Sequence, residues 1–62
     1  MPTQKDRNAM IAIAKVQGIL NDANTNLYFD KYDAALSSLI AAKQQLTKIF
    51  QDLTFTVDGA EN

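Results

Sequence analysis

The apolar residues of the second half of the chain recur at Tyr32, Ala35, Leu39, Ala42, Leu46, Ile49 and Leu53, in alternating steps of three and four. Steps that average about 3.5 residues lay one apolar seam along a helix and keep it facing a neighbouring helix. A second seam of the same period runs through Ala9, Ile13, Val16, Leu20 and Ala23. Two matched seams joined by a short polar stretch predict an all-α fold, an antiparallel helical hairpin with one shared core.

The boundaries follow from local chemistry. Thr3 or Asp6 is suited to cap the first helix. Asn21, Asp22, Asn24, Thr25 and Asn26 carry short side chains that bond nearby backbone and favour turns. Beyond Leu53, Phe55 and Val57 alternate with Thr54 and Thr56 at the period of an extended segment. The expected single domain therefore has a helix at about 4–23, a turn at about 24–29, a helix at about 30–53 and an extended tail over 54–62. In the matching register Ala23 faces Tyr32, Leu20 faces Ala35, Val16 faces Leu39, Ile13 faces Ala42, Ala9 faces Leu46 and Asp6 faces Ile49, and four of these six layers set Ala against a larger residue.

With 62 residues the chain buries only about 60% of the surface that its unfolded form exposes. It contains neither Cys nor His, so disulfides and the commonest transition-metal ligand and general base are unavailable. Self-association is the expected remedy: two hairpins docking as a homodimeric four-helix bundle, with Ala12, Ile19, Leu36 and Phe50 flanking the seams for that purpose. Six Lys and Arg against seven Asp and Glu give a net charge of −1, which lacks the basic bias of sequence-independent nucleic-acid binders. No targeting segment or membrane span is expected, and the expected location is cytoplasmic. Ser37 and Ser38 have no His to activate them, so no catalysis, cofactor or bound metal is expected.

Three stretches invite comparison. Residues 22–33 place oxygen-bearing side chains at Asp22, Asn24, Asn26, Asp30 and Asp33, with Phe29 at the eighth position. This resembles the calcium loop of EF-hand and dockerin proteins, which implies a calcium site there. Leu27, however, stands where that loop turns on Gly, and an Asn-rich turn between helices is the preferred reading. Tyr32, Ala35, Leu39 and Ala42 resemble the second helix of a tetratricopeptide repeat, which implies protein binding. In length and layout the chain is similar to the plasmid repressor-of-primer type of RNA-binding hairpin, which implies a dimeric four-helix bundle with RNA contacts on its first helix. The basic candidates there are Lys5, Arg7 and Lys15, without the exposed aromatic that such a surface uses.

Off the seams, Met10, Ile11, Ala14 and Gly18 on the first helix and Ile40 on the second form a candidate protein-binding surface. Either Phe55 and Val57 fold back over part of it or a partner protein covers it. The expected function is a small non-catalytic protein-interaction module, an adaptor, inhibitor or regulator of the phage or mobile-element style. Two alternatives are a dimeric RNA- or DNA-binding regulator that gathers Lys5, Arg7 and Lys15 of both subunits on one face, and a structural assembly subunit.

Overall fold

Thr3 opens the first helix. It is extended (φ −77°, ψ 174°), its Oγ1 accepts from the Asp6 N–H at 3.2 Å, and the Asp6 carboxylate accepts from the Thr3 N–H at 3.0 Å. This reciprocal pair satisfies two backbone donors that no helical carbonyl reaches. The computed structural model describes the backbone of residues 1–60 and the side chains of residues 1–57, and shows two helices packed against each other, α1 (Gln4–Tyr28) and α2 (Tyr32–Ala60).

The expected turn at 24–29 is displaced, because α1 continues through the Asn-rich stretch to Tyr28. Thr25 spends its hydroxyl inside the helix, donating to the Asn21 carbonyl at 3.1 Å, so it does not compete for a turn. The reversal is made by residues 29–31. The Lys31 N–H donates to the Asn26 carbonyl at 2.8 Å and the Asp30 N–H to the Leu27 carbonyl at 3.1 Å, the paired bonds of a Schellman motif. Asp30 fills the left-handed position, φ 59°, that such motifs usually give to Gly. α2 then starts with the Ala35 N–H donating to the Lys31 carbonyl, and with Asp33 in the first turn, where a carboxylate suits the helix dipole.

The extended tail expected over 54–62 is also corrected, since α2 continues through residue 60; residues 61 and 62 lie outside the described residues. Thr56 donates its hydroxyl to the Asp52 carbonyl at 2.9 Å, as Thr47 does to Lys43. Five residues at period two proved too short a signal against a helix already propagating from Tyr32. Phe55 does not fold back over α1; it stays exposed, with the Lys5 Nζ 5.9 Å from its ring centroid.

Moving the turn moves the register by about one helical turn. Lys5 now lies level with Phe55, and Ala12 shares a crevice of about 290 Å³ with Gln45 and Ile49. The core is a cluster of Val16, Ala42 and Ile49 with Ala12 and Ile19 packed on it, while Ala23 and Ala35 are buried nearer the turn. Val16 therefore packs with Ala42, not opposite Leu39 as the sequence register had it. The hairpin is one helix thick, 49 × 20 × 9 Å, with a radius of gyration of 14.6 Å. Among the described residues no helix is long and apolar enough to cross a membrane.

Candidate functional site: an apolar face on one side of the hairpin

The residues that α1 turns toward α2 are Ala9, Ala12, Val16, Ile19, Ala23 and Asn26, all buried or half-buried. α2 answers with Ala35, Ser38, Ala42, Ile49 and Thr56. On α1 the next row, about 70° around the helix, is Ile13, Leu20 and Leu27. On α2 the corresponding row is Tyr32, Leu39, Leu46 and Leu53. Because the helices run antiparallel, a rotation of the same sense on each leads to the same side of the hairpin. The two rows consequently form one face.

That face stays open. Its Ile and Leu side chains keep between 39% and 48% of their surface exposed, half in contact with the hairpin and half in solvent. Outside it on α2 follow Leu36, Lys43, Phe50 and Val57, and outside it on α1 follow Met10, Gln17 and Asn24, all exposed. The opposite side of the hairpin is mostly polar, with Asn8, Lys15, Asp22 and Lys48 beside the core. Single exposed leucines are ordinary in monomers, but two parallel rows on one side amount to a contiguous apolar patch of the kind that marks an interface.

The seams of the sequence are thus split by the fold. Ala9, Val16, Ala23, Ala35, Ala42 and Ile49 pack between the helices, whereas Ile13, Leu20, Tyr32, Leu39, Leu46 and Leu53, expected inside, line the open face. Ala12 and Ile19, expected to await a second hairpin, are the ones that pack inside. A signal for this existed: Ala is concentrated in one row of the heptad and Leu in the adjacent row. Close helix approach needs the first, and a second layer uses the second.

The candidate protein-binding residues are all exposed, but they are not gathered in one place. Met10 borders the apolar face, Ile11, Ala14 and Gly18 lie on the outer side of α1, and Ile40 lies on the outer side of α2, away from them. A Cβ added at Gly18 meets nothing within 4 Å, so no packing contact in the chain requires glycine there. Gly18→Ala is expected to stabilise the hairpin by about 0.8–1 kcal/mol through helix propensity alone, read as a higher urea midpoint at unchanged slope. An unchanged or lower midpoint would show that another element approaches Gly18 closely. Lys5, Arg7 and Lys15 are exposed too, but successive pairs are about 80° or more apart around α1, and Lys5 is turned to Phe55.

At the reversal, Tyr28 and Phe29 are exposed and meet edge to face, with ring centroids 5.1 Å apart, and the Tyr32 hydroxyl donates to Asp30 at 3.3 Å. The calcium loop suggested by residues 22–33 is not formed, because Asp22, Asn24 and Asn26 are helical. Among the described residues no three His, Cys, Asp or Glu side chains are grouped to hold a metal. Comparisons with protein-family models, with curated proteins and with solved structures found no match to this chain.

Proposed function

We propose that this chain is a small non-catalytic interaction module. It self-associates through its apolar face into a four-helix bundle, and it offers the outer helix faces to another protein as an adaptor, inhibitor or regulator. The observation that carries this reading is the open double row of Ile and Leu on one side of a sheet-thin hairpin.

The areas agree with it. The chain exposes 5135 Å², whereas a compact monomer of its size exposes about 4,000 Å². The excess, about 1,100 Å², is on the scale of the roughly 800 Å² that each partner buries in a standard stable interface. A compact chain of this length would also have a radius of gyration near 11 Å, against the 14.6 Å observed. A second copy is the simplest cover, because an isologous contact needs one face that complements itself, and this face is apolar at both ends and in the middle. With it covered, Ile11, Ala14 and Gly18 on α1 and Ile40 on α2 still face outward for a further protein.

Sedimentation equilibrium over a concentration series, with helicity followed in parallel, tests the proposal. A dimer whose helical signal falls on dilution is expected. A fully helical monomer at every concentration would overturn self-association and leave the apolar face to a different protein.

A further inference from the structure

If two hairpins cover each other's apolar faces, two arrangements keep neighbouring helices antiparallel: both turns at one end of the bundle, or turns at opposite ends. They differ in which helices touch. With turns together, α2 lies beside α1 of the second copy; with turns apart, α2 lies beside its own counterpart. The two helices do not present the same surface. Along α2 the open rows are apolar throughout except for Lys43, while along α1 they are broken by Asp6, Gln17 and Asn24.

The hairpin register shows what each arrangement would bring together. Lys5 lies level with Phe55 and the reversal is centred on Asp30. Turns at one end would therefore set Leu36 level with the partner's Asn24, Lys43 with the partner's Gln17, and Leu53 with the partner's Asp6. An amide and a carboxylate would be desolvated against leucine without hydrogen-bond partners, which is costly. Turns at opposite ends, with α2 crossing its copy near its midpoint at Leu46, set Leu36 level with the partner's Val57 and Leu39 with the partner's Leu53. Lys43, the one charge in these rows, comes level with the partner's Phe50 and can lie on its ring, as Lys5 already lies over Phe55 within the chain. On α1 the same register sets Asn24 level with the partner's Thr3 and Gln17 with the partner's Met10, so Asp6, level with the partner's Leu20, is the one carboxylate set against leucine.

From this complementarity, which rests on the self-association proposed above, we infer that the occupant of the apolar face is a second copy of this chain docked with its turn at the opposite end, α2 against α2, about a twofold axis passing near Ile13 and Leu46. The bundle so formed has a dry α2 side and a more polar α1 side.

The chain has no Cys, so a single spin label can be introduced as Lys31→Cys at the exposed reversal. Each label would sit about fifteen residues along α2 from the axis, so double electron–electron resonance on the dimer should give a separation centred at about 45 Å. Separations under about 25 Å, the scale of a bundle's width, would overturn the orientation while leaving the dimer intact. No dipolar coupling together with a monomeric sedimentation profile would overturn the self-association beneath it. As a check independent of labelling at the reversal, oxidising a mixture of Leu36→Cys and Val57→Cys chains should give a disulfide-linked heterodimer. Its absence from a mixture that still sediments as a dimer would also reject the orientation.

Discussion

Val16→Asp is expected to leave no folded hairpin at room temperature. Val16 is 3% exposed, and the side chains around it are Ala12, Ile19, Ala42 and Ile49, none of which can accept or donate a hydrogen bond. A carboxylate placed there is desolvated without a partner, at a cost of several kcal/mol, or is protonated and still left unsatisfied. A domain of this length has about 3–9 kcal/mol of stability in all. The loss is therefore comparable with the whole. Far-ultraviolet circular dichroism should show the helical signal lost or strongly reduced, whereas Gln17→Asp, one position along and exposed, should retain a cooperative melt. A Val16→Asp chain melting within about 1 kcal/mol of the parent would show that the helices do not meet at this residue.

The hairpin itself could be read from the sequence, because steps of three and four over five and seven apolar positions leave few alternatives to two packed helices. The side on which those helices meet could not be read from spacing alone. A row and either of its flanking rows make equally good seams of alternating three and four, so Ile13 and Ile19 are equivalent candidates beside Val16. Only the size of the other residues in their rows separates them, Ala12 beside Ile19 against Leu20 and Leu27 beside Ile13. Alanines at 9, 12, 23, 35 and 42 let the backbones approach, and the larger Leu row is displaced outward by that approach.

The reversal was misplaced for a related reason. Asn and Asp at 21–26 are weak helix formers by only a few tenths of a kcal/mol each. Ending α1 there would have left Ala23 at a frayed terminus, and carrying the helix to Tyr28 keeps it buried. A left-handed Asp at 30 was equally hard to foresee, since Gly is the residue that normally advertises that conformation. Of the candidate site, its composition was visible in the Leu and Ile positions, but its location depended on the register, and the register depended on the turn.

Leu46→Glu is expected to abolish self-association without unfolding the hairpin's own core. Within one chain Leu46 is 48% exposed, so exchanging it for Glu, a good helix former, changes the isolated hairpin little. In the proposed bundle it lies close to the twofold axis, and each substitution is made twice. Burial of two leucines is lost, at about 1.5–3 kcal/mol for full burial of each, and two carboxylates are brought level across the interface. Even with half that burial, about 1.5–3 kcal/mol in all, the lost leucines alone correspond to a dissociation constant weaker by roughly ten- to 150-fold. Sedimentation equilibrium should report a monomer at concentrations where the parent is dimeric, and Ile40→Glu, on the outer side of α2, should leave the dimer unchanged. Mixing Leu46→Glu with Leu46→Lys chains should recover part of the association as a heterodimer, since opposite charges then meet where like charges did. If Leu46→Glu and the parent sediment alike at every concentration, the apolar face is not where copies of this chain meet.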